Sequence, residues 1–269
     1  MIIYPKVTPR YPAGLEREYS KILRDYVREE MDIINGYVPE MVDAQIANGI
    51  KADERMDNWI TDITAKISRA VENINIRPKI ERMFERVKIF AHKENTAPYK
   101  KIFGVTPKDG APREYEVIKT IWTSQNLTLI KSIDSRTMEA IHYTLAQNVI
   151  RAASREEMTA ELVETIKKLG NVSENRAVLI ASDQVGKLNS QLTQYEQQRQ
   201  GIDSYIWVTM GDSRVRPQHR ERNGKRYYWK DPPDGGHPGF AIRCRCTATP
   251  CYDTDKVPLK PTPNTYKAV

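Results

Sequence analysis

The stretch from Tyr205 to Pro250 reads YIWVTMGDSRVRPQHRERNGKRYYWKDPPDGGHPGFAIRCRCTATP. It holds two of the four histidines (His219, His237) and two of the three cysteines (Cys244, Cys246). It also ends the helical periodicity that dominates the chain before it. Ser204 to Thr209 alternates and reads as a strand. Asn223-Gly224 reads as a hairpin turn of type I′, since both central positions of that turn need positive φ. Lys225 to Trp229 is aromatic-rich and strand-like. Asp231 to Gly236, DPPDGG, fits neither a helix nor a central strand. The expectation is a small β-rich module with long turns.

A module of this kind has few apolar side chains, so something beyond a core must hold it. His219, His237, Cys244 and Cys246 are four donors of the type that suits tetrahedral zinc. The spacing is looser than two CxxC knuckles. The competing expectation is a surface His219, a turn-opening His237 and one buried cysteine.

The same residues carry a resemblance. Gly201-Ile202, Tyr205, Trp207, Thr209, Asp212, Arg214-Val215-Arg216-Pro217, His219, Asn223-Gly224, His237-Pro238 and Cys244-Arg245-Cys246-x-Ala248-x-Pro250 follow one another in an order and spacing that resembles the phage Mu F-type minor head proteins, also called phage head morphogenesis proteins. The likeness covers about fifty residues. Many members of that family have Cys-Pro-x-Cys where this chain has Arg216-Pro217-Gln218-His219, so a metal role at that position rests on His219. The resemblance implies a structural protein of the virion head, assembled in the reducing host cytoplasm. It implies binding to the portal or capsid protein, and a part in DNA packaging or ejection.

Outward from the module, composition fits that picture. The chain has 269 residues, 29% of them charged and 39% hydrophobic, with a net charge of +7. Residues 201–251 hold nine Lys/Arg against five Asp/Glu, a net of +4. Arg214, Arg216, Arg220 and Arg222 are the candidates for contact with DNA phosphates or an acidic partner. Solvated surface is the alternative. The longest apolar run, Ala177 to Ala181, is far too short to span a bilayer. No membrane role and no signal segment are expected. Three cysteines, two of them separated by one residue, do not form a disulfide framework.

The fold class expected is mainly α with a small β-rich C-terminal module, an α+β arrangement with zinc as a candidate structural stabiliser. Residues 1–13, with Pro5, Pro9 and Pro12, read as an extended arm. Residues 14–95 form a first helical block: Leu15 to Asn35, then Ala52 to Asn75, then Lys79 to His92. Residues 96–113 read as a loop, given Pro98, Gly104, Pro107, Gly110 and Pro112. Residues 114–200 form a second helical block, in which Ser135 caps one helix. Ser154 and Glu157 form a capping box for the next, which ends at Gly170. Ser173 caps the last helix, whose end from Gln191 to Gln200 reads as solvated. Residues 201–251 are the module and 252–269 a flexible tail.

There is no glycine-rich phosphate loop, no HExxH and no nucleophile elbow, so no catalytic residue is assigned and no enzyme is expected. Two other readings remain open. One is a zinc-dependent nucleic-acid enzyme, with Asp212 as general base at an open metal position. The other is a zinc-ribbon nucleic-acid binder.

Overall fold

The computed structural model describes residues 1–48, 56–107, 111–257 and 259–269. The proposed helix start at Ala52, the Gly110 signal and Pro258 lie outside them. The described elements are β1 (Ile2–Pro5), α1 (Ala13–Gly36), α2 (Val38–Asn48), α3 (Met56–Glu72), α4 (Arg77–Phe103), α5 (Pro112–Arg151), α6 (Arg155–Arg199), β2 (Ser204–Val208), α7 (Pro217–Arg222), β3 (Arg226–Tyr228), β4 (Thr247–Asp253) and β5 (Tyr266–Ala268). The fold is mainly helical with one antiparallel sheet in the order β3-β2-β4-β1-β5. Contacts divide the chain into two compact units. One comprises residues 1–19, 81–123 and 181–269, the other residues 20–80 and 124–180.

The second unit is a helical core built from α1, α2, α3, α5 and α6. Leu23, Val27, Ile34, Ile60, Ile67, Ile133, Ile141 and Leu162 are buried. Two helix boundaries expected from the sequence are absent there. Ser135 does not cap a helix: α5 runs through it, and its hydroxyl donates to the Lys131 carbonyl at 3.0 Å. Gly170 and Ser173 likewise lie inside α6. A Cβ at Gly170 would stand 3.2 Å from Met31 Cγ, so the glycine permits close packing of α6 on α1. That packing outweighs the helix cost of glycine, about 1 kcal/mol. The capping box stands as read: Ser154 Oγ accepts from Glu157 N at 3.2 Å, and the Glu157 carboxylate accepts from Ser154 N at 2.7 Å. The segment Val38–Asn48, unassigned from the sequence, is α2.

The first unit carries the sheet. Its helical part packs around Trp122, whose ring lies 5.7 Å from Tyr19 and 6.2 Å from Phe84 and whose Nε1 donates to the Gln184 carbonyl at 3.2 Å. Residues 96–103, expected in a loop, continue α4 through Pro98. The helix survives proline because Ile102 and Phe103 are buried against Ile3 and Tyr252. Both chain ends also depart from expectation. The arm supplies β1, which pairs with β4 (Ile3↔Tyr252) and with β5 (Ile3↔Ala268). The tail is therefore not free: β5 covers β1, Thr262 N donates to the Ile102 carbonyl at 2.7 Å, and Leu259 and Tyr266 pack on the Ile3 cluster. Removing residues 260–269 should cost about 1–2 kcal/mol from the lost apolar burial. Urea unfolding of the truncated chain against the full chain checks this, and an unchanged midpoint would contradict it.

The end of α6 is the largest departure from the sequence reading. It is not solvated. Gln197 is 0% exposed. Its Nε2 donates to Asn95 Oδ1 at 3.0 Å and the Ala248 carbonyl at 2.9 Å, while its Oε1 accepts from Trp229 Nε1 at 3.2 Å. One amide thus joins α4, β4 and the residue after β3. Glu196 beside it is buried too, bonded to His92, Tyr115 and Arg199.

Candidate metal centre

The module forms around a small aromatic cluster. Tyr205 and Trp207, at 0% exposure, lie on β2 and pack with Trp229, Cys244, Cys246 and Ala248. Because β2 pairs with β4, Trp207 lies opposite Ala248, and the turn leading into β4 passes close to Trp207. That turn is closed by Cys244 N donating to the Ala241 carbonyl at 2.9 Å, with Arg243 at φ 56°. Cys244 and Cys246 precede β4, so strand alternation does not govern where they point.

His219 comes from α7. Pro217 starts this short helix at its first position, where a missing N–H costs nothing. The His219 ring meets Trp207 edge-on at 5.1 Å and is buried. Its Nδ1 lies 3.4 Å from Cys244 Sγ and 3.5 Å from Cys246 Sγ. The three donor atoms all lie within 4.8 Å of one another. Two of the candidate cysteines and one candidate histidine are thus brought together.

His237 stands outside this group. Its Nδ1 is 2.9 Å from Tyr205 Oη, and its ring packs on Trp229 at 4.8 Å. Burial holds its pKa below the ordinary histidine value, against the opposing effect of a hydrogen bond to the Trp229 backbone. That environment suits a neutral imidazole bracing the aromatic cluster.

The electrostatics of the cysteines are those of a shared proton. The hydrogen bond from Cys246, together with the Cys246 and Gly239 backbone amides and nearby His219, holds the Cys244 thiol pKa down despite burial. Gly239 N donates to Cys244 Sγ at 3.4 Å. Cys246 is correspondingly pushed up, first by its bond to Cys244 and then by burial. Cys251 lies in β4, apart from this group, and burial raises its thiol to about 11.

The Asn223-Gly224 turn differs from its expected type. Asn223 has φ −57° and ψ 127°, and Gly224 has φ 79°. This is a type II turn, closed by Lys225 N donating to the Arg222 carbonyl at 3.0 Å. It joins α7 to β3 instead of forming a two-strand hairpin, because α7 is inserted after β2. The Asn223 side chain accepts from Thr209 N at 2.9 Å, fixing the far end of the insertion.

The candidate contact arginines have local duties. Arg216 donates to the Ile242 carbonyl at 2.6 Å, Arg222 to the Asp234 carbonyl at 2.7 Å, and Arg220 to the Val215 carbonyl at 3.3 Å. Arg222 also lies over Trp207 at 5.2 Å. Arg214 is paired with Asp212 at 3.1 Å. Asp212 also takes Arg245 at 2.6 Å, and Arg245 and Arg214 together hold its carboxyl below the usual range. The sequence reading missed Arg245 and Gln197 as organisers of the site; a charged residue between two cysteines was the visible signal for the first.

Comparison with known proteins gives a consistent placement. Residues 139–249 match the family described as Phage Mu protein F like protein. An uncharacterized protein of Haemophilus influenzae is 37% identical over 142 residues, covering 52% of this chain and 31% of that protein. The matched stretch is thus about a third of the relative's length. No solved structure matches. Residues 139–249, which contain α6, β2, α7, β3 and all three members of the His219–Cys244–Cys246 group, are thus the part of the chain that is similar to the phage Mu protein F-like family.

Proposed function

We propose that this protein is a structural component of a tailed-phage head, acting in head morphogenesis by binding the portal or the inner capsid. The observation that carries the reading is the family match over residues 139–249. That family is one of head morphogenesis, so contact with other head components is its first implication. The virion head is the corresponding location. Among the described residues no helix is long and apolar enough to cross a membrane. The exposed arginines on and before α7 supply a basic surface for an acidic partner or for packaged DNA. Since Arg216 and Arg222 also hold turns together, this surface has a fixed shape. Asp212, the acid needed for a hydrolytic alternative, is taken up by Arg214 and Arg245, which favours the structural reading.

The test is co-expression of the full chain with a portal protein of the same phage, followed by affinity purification and size-exclusion chromatography. A co-eluting complex that survives moderate salt is expected. Two folded proteins that elute separately at every salt concentration would overturn portal binding.

A further inference from the structure

The geometry points to a divalent, zinc-type metal ion held by His219 Nδ1, Cys244 Sγ and Cys246 Sγ, with its fourth position open to the small cavity beside them. This goes beyond the head-morphogenesis reading and does not depend on it.

A tetrahedral ion with metal–sulfur bonds of about 2.3 Å and metal–nitrogen bonds of about 2.0–2.1 Å sets its sulfur and nitrogen donors roughly 3.5 Å apart. The two separations here are 3.4 and 3.5 Å. A single linear thiol–imidazole hydrogen bond accounts for only one of them. The Nδ1 position of a ring either donates one hydrogen or accepts through one lone pair, yet it faces two sulfurs equally. An ion at the centre of the three atoms satisfies all of them.

The surroundings fit thiolate ligands. Gly239 N–H donates to Cys244 Sγ. The Trp207 indole nitrogen is buried, and Trp207 packs with Cys244 and Cys246 in the same cluster. N–H groups aimed at metal-bound sulfurs are the usual outer support of such sites. The cavity beside the group has a volume of about 20 Å³ and is lined also by Met210, Val215, Arg214, Arg216, Arg243 and Arg245. That is room for one water, the fourth ligand this geometry leaves to solvent. An ion here would tie α7 to the turn before β4. Its binding energy becomes folding energy for the module.

The full chain, purified reduced and without chelator, should carry about one zinc per chain by elemental analysis. After chelator treatment, titration with cobalt(II) should give visible d–d bands and a thiolate-to-cobalt charge-transfer band, saturating at about one equivalent. Cys244→Ser and Cys246→Ser should lose the charge-transfer band or weaken it at least tenfold at equal cobalt. Cys251→Ser should retain it. His219→Cys supplies a third thiolate, so it should keep the ion and strengthen the band. Metal-free wild type that shows no cobalt bands while reduced overturns the site. So does zinc retained undiminished by Cys244→Ser. If the serine variants fail to fold, His219→Cys decides: a folded variant without metal overturns the proposal.

Discussion

Gly239→Ala should lower the unfolding free energy by about 2–5 kcal/mol, the sum of a backbone and a packing cost. Gly239 has φ +88°, a conformation that L side chains adopt at a cost of about 1–2 kcal/mol. A Cβ there would also stand 2.8 Å from Ser190 Cβ and 3.1 Å from the Gly186 carbonyl oxygen. The carbonyl belongs to α6 and cannot swing away. Ser190 is held as well, since its Oγ donates to the Pro238 carbonyl at 2.5 Å. Overpacking of this kind costs about 1–3 kcal/mol more. The displaced loop would carry the Gly239 N–H away from Cys244 Sγ, so the loss reaches the His219–Cys244–Cys246 group. Gly235→Ala is the control. Gly235 has φ +78° with nothing within 4 Å of a new Cβ, so only the backbone cost should appear. Urea unfolding followed by tryptophan fluorescence compares the two. Equal losses would refute the close approach at Gly239.

Glu30→Gln should act in the opposite direction, raising stability by roughly 2–3 kcal/mol at pH 7. Glu30 is 0% exposed on α1, and no basic group pairs with its carboxyl among the described residues. Burial first, then the charge of Asp134, pushes its pKa up to about 8, against a smaller opposing effect of Thr137. Asp134 is itself raised to about 6, chiefly by burial, although Tyr26 Oη donates to it at 2.9 Å. The folded carboxyl therefore holds its proton where the unfolded chain has released it. The associated stability is fully present below the unfolded pKa of about 4.5 and is lost as pH rises toward the folded value of about 8. Glutamine cannot ionise in either state, so the variant escapes that loss. Unfolding in urea at pH 5 and pH 8 should show a gain that is small at the lower pH and largest at the higher. A gain equal at both would mean that the effect is not ionisation.

How far these effects could be read from the sequence follows from the range of the interactions behind them. The Ser154–Glu157 capping box, strand β2 and the helix of Leu15 to Asn35 depend on contacts within a few residues, and the residue pattern carries them. The family likeness also rests on residue order alone, and it held over residues 139–249. Where sequence signals opposed long-range burial, burial won. Pro98, Ser135 and Gly170 each look like a helix boundary and each lies within a helix, because side chains distant in sequence pack on the uninterrupted face.

Four donors were legible as a candidate metal set, but periodicity could not choose among them. That choice required the pairing of β2 with β4, which brings the Cys244–Cys246 turn beneath Trp207, and the insertion of α7, which delivers His219 to both sulfurs while Tyr205 and Trp229 engage His237. The sequence determined the helical class and the residue types available for chemistry. Only the tertiary structure decided which of those residues meet, that Gln197 and Glu30 are buried, and that both chain ends join one sheet, since each is set by contacts tens to hundreds of residues apart that leave no local pattern.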